Sequence, residues 1–287
     1  MQRIPPGAQP MSLIREVEQF YDASPVPSGD PRALQVFNEF KFFLNRGEIR
    51  AAEPIGGRWI VHPWVKKGIL LGFRLGVLSA LPAAGPFRYF DNNTYPVKEL
   101  SVEQGVRIVP GGTSIREGAY LGPGVICMPP SYVNVGARVE AGTLIDSHVL
   151  VGSCAQIGKN VHIGAGTVIG GVLEPVGTLP VIVEDDVTIG GNAGVFEGTI
   201  LRRGAVLAAG VILTGSTPVY DSVRERILRG EGGTSLEIPP GAVVVPGTRP
   251  VEGAWAREQG LAVATPIIIK YRDTSTDRAL VREGDLR

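Results

Sequence analysis

Five polar side chains between residues 107 and 197 have types that could do chemistry: Arg107, Asp146, His148, Lys159 and Glu197. A carboxylate can accept a proton from a reacting group, and an imidazole can do so near neutral pH. An arginine can hold an anion through two parallel hydrogen bonds. Taken singly, a residue of any of these types is more often a solvated surface charge than part of a site. Which of the two it is depends on the secondary-structure elements that position it.

Those elements repeat along the chain, because an apolar residue stands at every sixth position of a long segment. The first run is Ile115, Leu121, Cys127, Val133, Val139, Ile145, Val151, Ile157, Ile163 and Ile169. After a break at Gly170–Pro180, the second run is Val183, Ile189, Val195, Leu201, Leu207, Leu213 and Val219. A small or β-branched residue stands two positions before each. A period of six fits neither an α-helix nor a single alternating strand.

The period predicts a parallel β-helix, a prism whose coil has three short sides of six residues each. Side chains alternate along a strand, so the large apolar residue and the small one before it point inward together. Glycines often follow the large residue, and we expect them to supply the positive φ that corners demand. With rungs ~4.8 Å apart, about six coils give a prism roughly 30 Å long.

This geometry directs the candidate residues outward. Asp146 directly follows inward Ile145, and His148 falls at a corner two residues later. Glu197 lies two residues after inward Val195, and Arg107 begins the first coil. The interior of such a prism is filled with side chains, so sites must lie on outer faces, under extruded loops or between neighbouring prisms.

The chain divides into three predicted regions. Residues 1–100 form an N-terminal α/β domain, with Ser12 as a helix N-cap, a second helix opened by Pro31 and a third over Trp64–Leu78. Residues 101–250 form the β-helix, with an extruded loop at Gly170–Pro180 and an insertion at 220–240. Residues 251–287 form a C-terminal extension with a strand at Ala264–Tyr271 and a polar end from 273 to 287.

Composition excludes several classes of function. The chain has 28 basic and 28 acidic residues among 287, so neither nucleic acid nor an anionic membrane is an expected partner. Glycine, at 39 residues, is about twice as frequent as the usual ~7%. Cys127 and Cys154 are expected to be buried thiols of a reducing cytoplasm, since the chain shows neither a signal peptide nor a membrane span.

Ligand-binding expectations follow from the prism. Flat faces favour association into closed rings, and a groove between prisms suits a long thin ligand such as a pantetheine arm. Lys159 and the backbone from Ala208 to Gly210 are candidate coenzyme contacts, although Lys159 fits a solvated corner equally well. The three histidines show no chelating spacing, so no metal is expected.

Several runs of residues are far more specific than the repeat itself. They cover 132–136, 142–146, 151–162 and 169–175, with 64–74 and 88–91 upstream and 183–185 and 196–198 downstream. Together, over about residues 60–250, they closely resemble the tetrahydrodipicolinate N-succinyltransferases, acyltransferases with hexapeptide repeats. The resemblance implies a left-handed β-helix and a homotrimer with active sites in grooves between subunits.

The resemblance also implies a reaction. Succinyl-CoA would be the co-substrate, without a required metal, and the acceptor would be the amine of a ring-opened cyclic imine dicarboxylate. Arg107 matches the family's substrate-binding arginine. Asp146 matches its catalytic, substrate-contacting aspartate.

Two positions depart from the family pattern. A glutamate proposed to act with the aspartate is replaced by Gly194, so Glu197, the nearest carboxylate, becomes a catalytic candidate. The residue two after the aspartate, commonly tryptophan in the family, is His148, which could bind a substrate carboxylate, transfer a proton or simply face solvent. These departures leave open a related acyltransferase that uses acetyl-CoA or another amine, and more distantly a non-catalytic scaffold.

Overall fold

The computed structural model describes residues 11–23, 29–84, 87–230 and 233–273. Its dominant element is a three-walled parallel β-helix whose strands are mostly two residues long. Wall A consists of Tyr120–Leu121, Arg138–Val139, Gln156–Ile157, Ile182–Val183, Ile200–Leu201 and Glu237–Ile238. Wall B begins with Arg107–Ile108, Ile126–Cys127, Leu144–Ile145, His162–Ile163, Thr188–Ile189, Val206–Leu207 and Ala242–Pro250. Wall C consists of Ser114–Ile115, Tyr132–Val133, Leu150–Val151, Val168–Ile169, Gly194–Val195 and Ile212–Leu213.

The predicted inward residues form one continuous core. All seventeen positions of the six-residue repeat are buried and belong to a single apolar cluster. In-register parallel pairing stacks them coil on coil, as in Ile145 beside Cys127 on one side and Ile163 on the other. The prediction of a mainly β chain wound as a parallel β-helix is therefore confirmed.

Glycine is needed after the inward residues for a different physical reason from the one expected. Positive φ falls two residues later, as at Gly166 and Gly210. The glycine at 152 instead lies against the next rung: a Cβ there would come 2.2 Å from the backbone nitrogen of Gly171. These glycines are required because adjacent coils approach closely at the start of each corner.

The N-terminal region packs three helices and two hairpins against the prism. The helices are α1 (Met11–Asp22), α2 (Pro31–Asn45) and α3 (Pro63–Leu75). The hairpins join Ala52–Ile55 to Arg58–Val61 and Leu78–Ala84 to Phe87–Asn92, and a 3₁₀ turn spans Val102–Gln104. Apolar faces of the helices bury Phe37, Phe40 and Ile69 together with Val135 and Cys154 of the β-helix.

Two predicted helix boundaries are wrong and one is confirmed. Met11 is already helical, so Ser12 lies inside α1 and cannot be its cap. The third helix ends at Leu75 because Gly76 turns to an extended backbone and Leu78 begins a strand. Pro31 opens α2 as expected, and the carboxylate of Asp30 caps it by accepting from the backbone of Arg32 and Ala33.

The C-terminal segments extend wall B. Ala242–Pro250 pairs antiparallel with Ala262–Tyr271, and a short helix, Ala254–Glu258, lies between them. The insertion contributes Val219–Asp221 and Arg226–Leu228 to the same sheet. Residues 274–287, which make up nearly all of the polar end, lie outside the described residues. Within the described part, no helix is long and apolar enough to span a membrane.

Candidate active site

Arg107 and Asp146 lie on the same wall of the prism. Arg107 stands exposed on the first rung of wall B, and Asp146 follows the third rung, Leu144–Ile145. Two rung steps separate them, about 10 Å along the prism axis at ~4.8 Å per rung. Asp146 begins the corner between walls B and C, here called the B–C corner, so a ligand lying along that edge of wall B could contact both side chains.

The carboxylate of Asp146 is held on one side only. Its Oδ1 accepts a hydrogen bond from the backbone of Ser147 at 2.6 Å. The peptide itself is fixed, because its N–H donates to Ile163 and its carbonyl accepts from the Ser131 hydroxyl at 2.8 Å. No described residue donates to Oδ2. Asp146 is therefore a positioned carboxylate with one oxygen available to a ligand.

His148 occupies the same corner in a left-handed conformation. Its φ is 61°, its side chain is exposed, and its backbone N–H donates to Pro130. Glycine fills the equivalent place at 166 and 210. A non-glycine residue there costs about 1–2 kcal/mol. Other corners carry this conformation too, so the backbone alone gives His148 no special role, but its imidazole stands within the same corner as Asp146.

Glu197 lies elsewhere on the prism. It occupies the corner between walls C and A, two coils beyond Asp146, and its Oε2 accepts from the backbone of Gly215 at 2.9 Å. This bond links two successive corners. Within one chain, Glu197 is not brought together with Asp146, so any joint action would have to join two copies of the chain.

The space beside Gly194 is filled by an aromatic ring. A Cβ on Gly194 would come 2.5 Å from Cε2 of Phe196 and 3.0 Å from Cδ1 of Ile212. No acidic side chain fits at this position unless the ring moves. Wall C is therefore apolar where the family pattern places a carboxylate.

The two proposed sets of coenzyme contacts lie at opposite edges of wall B. Ala208 and Gly210 belong to the B–C corner, in line with Asp146, and Gly210 has open space where a side chain would be. Lys159 is exposed at the corner between walls A and B, where its backbone N–H donates to Asp185 at 2.8 Å.

The N-terminal region covers wall A, and its hairpin 78–92 borders the first rungs of wall C. On wall A, Ile182 and Ile200 are buried against Ala52, Trp59 and Leu179. Walls B and C present outward apolar side chains without a described cover, among them Leu144, Leu150, Val168, Val206 and Ile212. Unpartnered flat apolar faces are typical of surfaces that pack against another subunit.

Two clefts were not anticipated from the sequence. One, of about 510 Å³, lies beside wall C and is lined by Tyr89, Phe90, Arg116 and Tyr132, with Arg116 paired to Asp91. The other, of about 230 Å³, lies beside wall A. The pairing of residues far apart in sequence creates both, and no local spacing signals it. Among the described residues no group of three or more His, Cys, Asp or Glu could hold a metal.

Comparison with known proteins gives matches along most of the chain. The family described as tetrahydrodipicolinate N-succinyltransferase N-terminal matches residues 12–75. The bacterial transferase hexapeptide family (six repeats) matches 136–171, and the hexapeptide repeat of succinyl-transferase matches 180–215.

Whole proteins of one kind are similar over nearly all of their length. A 2,3,4,5-tetrahydropyridine-2,6-dicarboxylate N-succinyltransferase of Idiomarina loihiensis is 45% identical over 84% of this chain and 86% of its own. Proteins of the same description from Azoarcus sp. and Dechloromonas aromatica are 43% and 38% identical, over 88% and 87% of this chain and 90% and 88% of theirs.

Solved structures are more distant. A hexapeptide transferase family protein from Anaplasma phagocytophilum is 17% identical, with a TM-score of 0.42, over 63% of this chain and 84% of that one. We draw no functional conclusion from a likeness of this degree.

Proposed function

Because this chain belongs to the 2,3,4,5-tetrahydropyridine-2,6-dicarboxylate N-succinyltransferase family, we propose that it transfers a succinyl group from succinyl-CoA to the amine of the ring-opened cyclic dicarboxylate, a step of lysine and diaminopimelate biosynthesis. The observation that carries the proposal is similarity at 45% identity over 84% of the chain. It is supported by Arg107 and Asp146, which lie on the same wall of the prism, two rungs apart.

The proposed chemistry uses two outward side chains. The Arg107 guanidinium binds a substrate carboxylate through two hydrogen bonds. The substrate amine attacks the thioester carbon, the new C–N bond forms, and the C–S bond breaks to release coenzyme A. The amine must lose a proton, and Oδ2 of Asp146, which has no described donor, accepts it.

The remaining site residues have supporting parts in the proposal. His148 lies beside Asp146 and binds the second substrate carboxylate. Glu197 already accepts a backbone hydrogen bond within its own chain, so a catalytic part for it requires that it reach the reacting groups from a neighbouring subunit.

We propose that the coenzyme arm runs along the B–C corner. Ala208 and Gly210 expose backbone there, and an extended arm can pair with such groups as another strand does. Lys159 stands on the opposite edge of wall B, so the proposed path of the arm along the B–C corner does not reach it within one chain.

We further propose a homotrimer with its active sites between subunits. The uncovered apolar columns of walls B and C support it, since their burial on association is favourable. Sedimentation should give three times the 30.4 kDa chain mass, and a monomer with full activity would contradict the proposal. A cytoplasmic location, expected of a biosynthetic enzyme with two buried free thiols, can be tested by cell fractionation.

A thiol-release assay tests the reaction. Purified protein is given the cyclic imine dicarboxylate with succinyl-CoA or acetyl-CoA, and free thiol is followed with time. Succinyl-CoA should give the higher kcat/KM. Equal or greater turnover with acetyl-CoA would instead favour a related acyltransferase, an alternative that the lack of a carboxylate at Gly194 leaves open. No turnover with any acyl-CoA and amine would favour a non-catalytic scaffold.

A further inference from the structure

The cleft beside wall A lies between the N-terminal hairpin 52–61 and the β-helix. Its volume is about 230 Å³, enough for a small molecule, and its lining includes Arg50, Trp59, Gln156 and Lys159. We call it the wall-A cleft. It lies across the prism from the B–C corner, where Asp146 stands.

Arg50 is oriented so that its charged end faces the wall-A cleft. Gln156 is buried, and its amide nitrogen donates to the carbonyl of Cys154 at 2.9 Å, so its oxygen must point outward. That oxygen accepts from Nε of Arg50 at 2.9 Å. The guanidinium also lies 5.4 Å from the centre of the Trp59 ring. Nε and one face of the group are thus satisfied, which leaves the two terminal nitrogens.

The acidic groups around the wall-A cleft are already engaged by the protein. The contacts are Arg138 Nε to Glu140 Oε1 at 2.6 Å, Trp59 Nε1 to Glu184 Oε1 at 2.9 Å, Arg202 Nη1 to Glu184 Oε1 at 2.8 Å and Arg203 Nη2 to Asp185 Oδ2 at 2.8 Å. Within residues 11–23, 29–84, 87–230 and 233–273, no atom accepts a hydrogen bond from the terminal nitrogens of Arg50 or from the amine of Lys159.

Two cations therefore border one cleft, and no described acidic group pairs directly with either charged end. A half-buried guanidinium that lacks an anion is costly, because burial removes water without supplying an acceptor. Burial, followed by the positive charge of Arg138, lowers the pKa of Arg50 to about 10, although the charges of Glu140 and Glu53 oppose the shift. An anion with oxygens for both cations would relieve that cost.

We propose that the wall-A cleft binds a small dianion, a dicarboxylate or a phosphate group, between Arg50 of the N-terminal region and Lys159 of the β-helix. Arg50 offers the planar fork that carboxylate and phosphate oxygens match. Because the two cations come from different parts of the chain, the bound dianion holds the N-terminal region on wall A. The site is thus a place where a small metabolite can stabilise the packing of the N-terminal region on the β-helix.

Thermal unfolding of the full chain without any acyl donor tests the site. Inorganic phosphate and malonate are titrated separately against sodium chloride of equal ionic strength, which removes general screening. A site-bound dianion should raise Tm by about 3–5 °C when its concentration is roughly twenty times Kd. A preference for phosphate or for malonate identifies which source of oxygens the cleft takes, and no rise beyond chloride with either would overturn the proposal.

Single substitutions test whether the dianion binds at the wall-A cleft. Arg50→Gln and Lys159→Gln should each weaken the dianion at least ten-fold, since each removes a charge-assisted hydrogen bond. Arg58→Gln is the matched control, an exposed arginine on the same hairpin that does not line the cleft, and it should bind as the wild type does. Equal binding by Arg50→Gln and the wild type would refute the assignment. Lys159→Gln removes only an exposed amine, so it remains informative if Arg50→Gln folds poorly.

Binding of coenzyme A to the full chain tests whether the wall-A cleft is distinct from the proposed active site. Coenzyme A binding is measured by calorimetry with and without saturating dianion. Simultaneous binding of both supports a separate site, whereas one-for-one competition would mean that the cleft belongs to the coenzyme and would overturn the inference. Failure of the succinyl-transfer assay leaves the dianion measurements unaffected, because none of them contains an acyl donor.

Discussion

Replacing Asp146 by asparagine tests the proposed proton acceptor without disturbing the fold. The side-chain shape is unchanged, and the asparagine oxygen can accept from the backbone of Ser147 as Oδ1 does now at 2.6 Å. The backbone bonds of residue 146 to Ile163 and Ser131 do not involve the side chain. Only Oδ2 is lost, and no described residue donates to it. We therefore expect Tm within about 1 °C of the wild type.

The expected loss of activity follows from the part that Oδ2 would play. A positioned general base contributes typically ~10²–10⁴-fold in rate, which at ~1.36 kcal/mol per factor of ten is about 2.7–5.4 kcal/mol of transition-state stabilisation. The neutral amide nitrogen cannot take the proton of the attacking amine. Hence kcat should fall by at least a hundred-fold, while KM for succinyl-CoA changes little.

The assay is initial-rate thiol release with both substrates saturating, beside a melting curve on the same samples. Asp186→Asn is the matched control, because Asp186 is another half-buried corner aspartate, on the far edge of wall B. That variant should keep kcat within about two-fold. A kcat for Asp146→Asn within three-fold of the wild type would show that the carboxylate is not the base.

Three further outcomes are expected. Arg107→Ala should raise KM for the dicarboxylate about ten-fold or more, through loss of a charge-assisted pair, with little change for succinyl-CoA; the opposite pattern in steady-state kinetics would place Arg107 in the coenzyme site. Gly152→Ala should lower Tm by about 5 °C or more, since its Cβ would meet the backbone of Gly171 at 2.2 Å, whereas Gly177→Ala, with open space, should not. Burial lowers the pKa of Lys98 to about 8, with Glu117 opposing. The unfolded lysine titrates near ~10.4, so urea unfolding should show the wild type gaining stability over Lys98→Met from about pH 8 to 10.5; parallel pH profiles would refute this.

The β-helix could be predicted from the sequence because its rule is local. An inward position recurs every sixth residue, and a polar side chain at Ile145 or Ile163 would be buried without a partner. The pattern therefore fixes which residues face inward whatever the rest of the chain does. The helix ends were less secure: Ser12 suits a cap, but the helix begins before it, as a single favourable residue does not determine a boundary.

The sequence predicted which candidate side chains face outward but not which corner of the prism each of them occupies. That Asp146 faces outward follows from its place after Ile145. Which corner each candidate occupies depends on counting whole coils, and the loop at 170–180 interrupts that count before Glu197. Consequently the sequence grouped Asp146 with Glu197 and Lys159 with Ala208, while the structure separates both pairs onto different corners.

The sequence by itself determined the prism, its inward core and the outward direction of Arg107 and Asp146, because short-range alternation and a fixed period control these features. The tertiary structure alone decided which residues meet across long intervals. Arg50 reaches Gln156 across 106 positions and Trp59 reaches Glu184 across 125, only because the N-terminal region packs on wall A. Such contacts depend on how two surfaces fit together, and no spacing within either segment encodes that fit.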